Sequence, residues 1–397
     1  MWQNEDNSYP LKIGEGYIVV YGNILFAISD TGGGHRSAAD AIIESIHRLE
    51  GENIRCSITD LLRDSAVPLV KNAPEIYGYC STRQVWLHDL FFRFTNEPQR
   101  IDLLSNLVYA RARENIKQVL RQRRPDLVVV AHPLALRLMC AARREIRGQF
   151  PLVTVVTDLA TIHASWAFKE CDQFLAPTQE AYDALVGLQI SEHKLTLTGF
   201  PIHPKYFDPQ DSQHILRAKL GIAPDKKTIL LTSGGAGGGK VREFVETIET
   251  NRPEWQILVV TGNNRDLFQT LKSRLNAPAL THVYGFVNNM ERLMAAADIV
   301  VTKAGPGTIM EVRALQRPLI ITGAVGLQET GNIDYVSKNR FGLFAPNAAA
   351  LIKALDSILT TQPGTKPTDP LTPMQNGSSR ISRILMEKMQ WARDLPA

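Results

Sequence analysis

The part of this chain best equipped for chemistry is Ser29-Asp30-Thr31-Gly32-Gly33-Gly34-His35-Arg36-Ser37-Ala38-Ala39-Asp40. Glycines let a backbone pass close to a ligand and turn successive N–H groups toward it, and a following helix N-terminus adds partial positive charge. The apolar run Ile24–Ile28 ahead of the loop and the amphipathic stretch Ala41–Leu49 behind it predict strand, loop and helix. Such a loop suits an anionic group. A histidine at that position is disposed to remain neutral and act as a base, because the helix dipole disfavours its protonated form. The bland alternative for the same residues is a tight turn carrying a surface histidine or helix cap.

A second set of motifs lies further along. The run Ile299–Val301 leads into Thr302-Lys303-Ala304-Gly305-Pro306-Gly307-Thr308-Ile309-Met310-Glu311, again strand, glycine turn and helix. Gly305, Gly307 and Thr308 can offer N–H and hydroxyl donors to phosphate oxygens. Glu311, one turn later, can accept from both hydroxyls of a ribose, so a nucleotide is the simplest ligand. Gly326-Leu327-Gln328-Glu329-Thr330-Gly331-Asn332 gathers amides and carboxylates suited to sugar hydroxyls. The stretch from Gly234 to Lys240 fits the phosphate-binding loop of nucleotide hydrolases until Val241, where a magnesium-binding Ser or Thr should stand. That mismatch argues against a hydrolase and for a loop that lies near a diphosphate.

These residues need a scaffold that delivers loops to one edge. Short apolar runs at Ile24–Ile28, Leu127–Val130, Leu152–Val156, Ile229–Thr232, Ile257–Val260, Ile299–Val301 and Leu319–Thr322 alternate with helical patterns. This predicts an α/β protein with two parallel sheets covered on both faces. Three prolines between Pro201 and Pro209 separate the two groups of runs. We therefore expect a Rossmann-like domain over 1–200, a linker over 201–225, a second Rossmann-like domain over 226–375 and a C-terminal helix over 376–397. Ligands should sit at the carboxyl ends of the strands, and two such domains facing one another would make a cleft.

Composition narrows the class. The 397 residues, 44% hydrophobic and 21% charged, fit two globular domains, and no apolar stretch is long enough to span a bilayer. Four scattered cysteines without ligand spacing point to a reducing compartment, and the polar N-terminus is unlike a signal peptide, so a cytoplasmic location is expected. A net charge of +4 with no nucleic-acid motif argues against a nucleic-acid partner. Between Ser81 and Arg147, however, thirteen Lys and Arg face six Asp and Glu, interleaved with Trp86, Leu87, Phe91, Phe92, Phe94 and Tyr109. That mixture can seat a protein on an anionic membrane surface, or it can be ordinary amphipathic helices with a buried aromatic face.

The segments SDTGGGHRSAADAI from Ser29, TKAGPGTIMEV from Thr302 and GLQETGN from Gly326 resemble the monogalactosyldiacylglycerol synthases and processive diacylglycerol glucosyltransferases of glycosyltransferase family 28. Weaker matches are AHP at Ala131–Pro133, VTDLATIHASWAF from Val156, APTQEA from Ala176 and TGFPIHPKYF from Thr198. The resemblance spans nearly the whole chain. It implies a GT-B fold and an inverting transfer of galactose or glucose from a UDP-sugar co-substrate to the hydroxyl of diacylglycerol, on the cytoplasmic face of an anionic membrane.

In that reading His35 is the base, assisted by Asp158. Gly33, Gly34, Gly235, Lys303, Gly305, Gly307 and Thr308 hold the diphosphate, and Glu311 holds the ribose. Phe286 and Val287 pack against uracil. Gln328, Glu329 and Asn332 hold the sugar or phosphate, and His132, Trp166 and Phe168, with the Val67–Tyr79 stretch, face the acceptor. No metal and no further cofactor are expected. Other readings are a UDP-N-acetylglucosamine-dependent transferase to a lipid-linked acceptor, a UDP-sugar 2-epimerase, and a non-catalytic nucleotide-sugar or lipid sensor.

Overall fold

A computed structural model describes residues 9–13, 16–30, 33–64, 71–72, 85–232, 234, 240–274, 280–359 and 374–393. The chain divides into two compact units, one formed by Met1–Tyr77, Leu90–Pro204 and Asn376–Ala397 and the other by Gly78–Asp89 and Lys205–Gln375.

The first unit opens with an antiparallel hairpin, β1 (Tyr9–Ile13) and β2 (Gly16–Val20). Its main sheet is built from β3 (Gly22–Ile28), β4 (Ile54–Asp60), β5 (Leu127–Val130), β6 (Leu152–Val155), β7 (Gln173–Ala176) and β8 (Leu195–Leu197). All pairings are parallel, in the order β4-β3-β5-β6-β7-β8. Ile24, Phe26 and Ile28 pack under one layer of helices and Leu25 and Ala27 under the other, which is why this run is apolar without alternation.

The second unit repeats the plan with β9 (Thr228–Thr232), β10 (Gln256–Val260), β11 (Thr281–Tyr284), β12 (Ile299–Thr302), β13 (Leu319–Ile321) and β14 (Gly342–Phe344). They are parallel, in the order β11-β10-β9-β12-β13-β14. Each of the seven apolar runs is therefore a strand.

In both sheets the chain winds outward on one side, then crosses back to the other. The crossing leaves a switch point between β3 and β5 in the first unit and between β9 and β12 in the second. Loops after neighbouring strands part there, and a crevice opens at the carboxyl edge. The glycine loop from Ser29 follows β3 and the one from Lys303 follows β12, so both motifs stand at switch points.

Two segments extend the units beyond their sheets. Of the stretch 201–225 expected as a linker, residues up to Pro204 belong to the first unit and those from Lys205 onward to the second. Arg217, buried there, donates to the carbonyls of Ala296 at 2.9 Å, Pro224 at 2.9 Å and Lys226 at 3.0 Å. The last helix, Gly377–Arg393, belongs to the first unit. Ile381, Leu385 and Met389, spaced four apart, bury against Ile42 and Ile46 of the helix Gly34–Glu50. Gly377 begins that helix hard against the backbone of Gly199 and Phe200, where a Cβ would clash with main-chain atoms. Gly377→Ala should therefore cost about 1–3 kcal/mol of stability. A thermal midpoint unchanged within 1 °C or so would contradict this packing.

Candidate active site

His35 stands in the first turn of the helix Gly34–Glu50, capped by Gly33 in the left-handed region at φ +76°. Around Gly33 and Gly34 nothing lies within 4 Å of an added Cβ, so both face open space. Sheet register sets His35 beside His132, which ends the turn after β5 and precedes the helix Pro133–Ile146. Their ring centroids are 4.7 Å apart, edge to face, and the Trp166 indole lies 6.3 Å from His35.

The partner of His35 Nδ1 is the Thr157 hydroxyl, 3.0 Å away, and the Ala131 backbone favours the protonated ring. Burial lowers the His35 pKa to about 4, against the opposing pull of Ala131 and the Asp30 charge. At neutral pH the imidazole carries no charge, the state a general base requires.

Two sequence expectations change here. Thr157, not the neighbouring Asp158, is the residue found at His35 Nδ1; Asp158 accepts the indole N–H of Trp166 at 2.7 Å. Trp166 was expected to face an acceptor, but it is wholly buried and serves to hold Asp158. Its segment is pinned from several sides. Arg137 donates to the carbonyls of Ser165 at 2.7 Å and Ala167 at 3.4 Å, pairs with Asp102 at 2.6 Å and lies 4.9 Å from the Phe168 ring. His163 Nε2 lies 3.2 Å from Thr95 Oγ1.

Burial holds His35 and His163 at about 4 and His132 well below its ordinary value. Unfolding exposes them to water, where they take up protons near 6.5, so the unfolded chain binds more protons as pH falls from 6.5 toward 4. Each histidine should remove roughly 1.4 kcal/mol of stability per pH unit across that window and nothing above it. Glu311, treated below, and Asp40 work the other way, since burial raises both carboxyls, while His282 adds to the histidine side. Urea midpoints at pH 7, 5.5 and 4.5 measure the balance; a flat profile would sink it.

In the second unit the structure gathers a different set. Gly234, at φ +71°, brings the end of β9 so close to β12 that an added Cβ would sit 3.3 Å from Lys303 Cε. Lys303 Nζ pairs with Glu329 Oε1 at 2.8 Å, and Glu329 Oε2 accepts from the Val325 N–H at 2.8 Å. Gly305, Gly307 and Thr308 open the helix Pro306–Ala314, and Gln328 lies in the first turn of the helix Gly326–Lys338. Asn332, expected to meet the sugar, is buried and donates to the Ala304 carbonyl at 2.8 Å, so it braces the glycine turn.

Phe286 is exposed and Val287 half-buried, after β11. Gly235 lies outside the described residues, as does the Val67–Tyr79 stretch apart from Lys71 and Asn72.

Glu311 occupies the exposed end of no surface cluster; it is enclosed by residues of the 205–225 stretch. The buried Tyr206 hydroxyl donates to it, Lys205 lies nearby, and Lys205 in turn pairs with Glu291 at 2.9 Å. Burial pushes the Glu311 carboxyl up to about 7, despite the Tyr206 hydrogen bond and the Lys205 charge that favour ionisation. Sequence reading missed both Tyr206 and Thr157, because each meets its partner only through the tertiary fold.

The basic aromatic segment forms the helices Val85–Thr95 and Pro98–Arg123. Their apolar stripe points outward: Trp86 is 66% exposed, Leu90 57%, Phe91 54%, Phe94 55% and Leu103 64%. Arg100 lies 4.9 Å from the Phe94 ring. Among the described residues no helix is long and apolar enough to cross a membrane, and no cluster of three His, Cys, Asp or Glu could hold a metal ion.

Comparison with known proteins adds family evidence. Residues 35–202 match the family model of monogalactosyldiacylglycerol synthase, and residues 228–340 match the C-terminal domain of glycosyltransferase family 28. A probable monogalactosyldiacylglycerol synthase 2 of Oryza sativa subsp. japonica is 31% identical over 342 residues, covering 83% of this chain and 72% of the relative. Monogalactosyldiacylglycerol synthase 1 of Arabidopsis thaliana is 30% identical, covering 83% of this chain and 63% of the relative. The chain spans 64% of a probable synthase of Glycine max, so part of some relatives has no counterpart here.

Among solved structures, a UDP-N-acetylglucosamine 2-epimerase of Neisseria meningitidis superposes with a TM-score of 0.59 at 14% identity, covering 93% of this chain and 99% of that one. A putative UDP-N-acetylglucosamine 2-epimerase of Listeria monocytogenes gives 0.61 at 15%, covering 95% and 98%. At such identity the likeness concerns fold alone, and that fold is GT-B.

Proposed function

Since the chain belongs to the monogalactosyldiacylglycerol synthase family of glycosyltransferases, we propose that it transfers galactose from UDP-galactose to the free hydroxyl of 1,2-diacylglycerol. The observation that carries the reading is His35, held neutral by burial at the β3/β5 switch point and hydrogen-bonded through Nδ1 to Thr157. In the proposed step the His35 imidazole takes the acceptor hydroxyl proton while the oxygen attacks the anomeric carbon. The new C–O bond forms as the bond to UDP breaks, the electron pair leaves with the diphosphate, and the sugar inverts.

The second unit supplies the donor site. N–H groups at the starts of Pro306–Ala314 and Gly326–Lys338, with Lys303, oppose the charge gathering on the leaving diphosphate. Glu311 accepts from the ribose hydroxyls, Gln328 and Glu329 from the sugar, and Phe286 with Val287 covers the base. Asp158, fixed by Trp166, keeps the turn that carries Thr157 in place.

Diacylglycerol must come from a bilayer, and the exposed stripe at Trp86, Leu90, Phe91 and Phe94, with Arg93 and Arg100, suits peripheral docking on anionic lipid. Replacing Phe91 and Phe94 with serine should reduce cosedimentation with anionic vesicles about tenfold or more, given the apolar area lost. Equal binding of neutral and anionic vesicles would count against electrostatic docking. The deciding assay offers UDP-galactose, UDP-glucose and UDP-N-acetylglucosamine separately with diacylglycerol vesicles and identifies the products. Monogalactosyldiacylglycerol is expected. Turnover only to UDP-N-acetylmannosamine, or no glycolipid from any donor, overturns the reading.

A further inference from the structure

The described glycines just ahead of His35 and in its first turn, Gly33 and Gly34, offer little to hold it. Gly33 is left-handed, and nothing packs where side chains of residues 33 and 34 would project. Glycine segments keep more conformational freedom than any other, yet a general base must be held in reach of its proton. Something outside the glycines has to fix the histidine.

Asp30 and Arg36 bracket the loop. Arg36 Nε donates to Asp30 Oδ1 at 2.6 Å and Nη2 to Oδ2 at 2.9 Å, a two-point fork that fixes both planes. Asp30 is itself tethered. Its N–H donates to Asp60 Oδ2 at 3.1 Å, and Asp60 closes β4, directly opposite Ile28 in the sheet. The other Asp60 oxygen accepts from the N–H groups of Leu62 and Arg63, each at 3.1 Å, so this buried carboxylate cannot swing. A rigid path thus runs from β4 through Asp60 and Asp30 to Arg36, the residue after His35.

The fork adds little to stability, since the Arg36 side chain is 42% exposed and the Asp30 side chain 26%, and partly exposed pairs contribute little. It also occupies the guanidinium edge that an anionic ligand would otherwise use. We propose that Asp30 and Arg36 are positioning residues, a clamp across the glycine loop that holds the His35 ring against Thr157 and Ala131 in the orientation needed for proton abstraction. This rests on His35 being the base. The Asp30 charge also raises the basicity of His35, partly countering its burial.

The test is a double-mutant cycle of Asp30→Asn, Arg36→Gln and the pair, with Asp30→Glu as the conservative variant. Each single change should lower kcat for lipid glycosylation about 10- to 100-fold with the donor KM within about threefold, and the double should be no worse than the worse single. Asp30→Glu should recover part of the rate. Additive losses, an unchanged kcat, or a donor KM raised more than about tenfold at constant kcat would each overturn the clamp; the last would make Arg36 a donor ligand.

A second readout needs no substrate. The Ser37 N–H donates to the Gly33 carbonyl at 3.1 Å and closes the first helical turn. Its amide exchange should quicken about tenfold or more in Asp30→Asn while the core of β3 is unaffected, and unchanged exchange overturns the proposal. If wild-type protein makes no glycolipid, the functional reading fails while the exchange result still decides the clamp.

Discussion

Replacing His35 with alanine should lower the rate of lipid glycosylation by roughly 10²–10⁴-fold, the usual contribution of a positioned general base. The donor KM should stay within about threefold, because the His35 side chain itself is not among the groups proposed to hold UDP. The fold should survive, since loss of the ring removes a group that favours unfolding in acid. A base with a pKa of about 4 in the free protein also predicts no loss of kcat/KM from this group as pH falls from 8 to 6. Activity within about threefold of wild type would remove His35 from the mechanism and leave His132, its neighbour at 4.7 Å, as the next ring to test.

Glu311→Gln should weaken UDP binding by roughly 10- to 100-fold, since hydrogen bonds to a charged group contribute about 1.5–3 kcal/mol. The change keeps the side chain's size and its contact with Tyr206 but removes the carboxylate that accepts from ribose. The pH dependence gives an independent sign. Burial sets this carboxyl at about 7, so it is protonated in a large fraction of molecules at pH 6 and ionised at pH 8. An ionised carboxylate accepts from both ribose hydroxyls, so wild-type affinity should rise from pH 6 to 8 more steeply than that of the glutamine variant. The variant cancels the titration of UDP's own phosphates. Isothermal calorimetry across that range is the measurement, and parallel wild-type and variant profiles would refute the ribose role.

Much of the scaffold was legible. Every apolar run became a strand because a strand in the middle of a parallel sheet is covered on both faces, and nothing in its sequence needs to alternate. The strands that escaped, such as β4 with its Arg55 and Asp60, and the three-residue β8 and β14, lie at or near sheet edges where polar residues are tolerated. The linker was misjudged for a different reason. Prolines between 201 and 209 disfavour a long helix and a central strand but say nothing about packing, and Tyr206, at the end of a single 3-10 turn, and Arg217, on the short helix Gln213–Lys219, both bury themselves in the second unit.

Polar residues were the hardest to assign. Asn332 and Glu329 share one short motif; the structure gives the first to a backbone carbonyl and the second to Lys303. Trp166 looked like a residue for a lipid and is instead the donor that holds Asp158. Conversely, the stripe of Trp86, Leu90, Phe91 and Phe94 reads as an ordinary helix core by spacing alone, and only its exposure singles it out.

From the sequence alone came the two glycine loops, the histidine on one and the glutamate behind the other, because strand, glycine and helix signals are local and the backbone obeys them locally. Tertiary structure decided which groups those residues meet. His35 finds Thr157, 122 residues away, because β3, β5 and β6 run parallel side by side, and Glu311 finds Tyr206 because a proline-rich stretch folds back. Those encounters remove water from both side chains, and it is that desolvation, absent from any local pattern, that leaves one neutral and brings the other to titrate near 7.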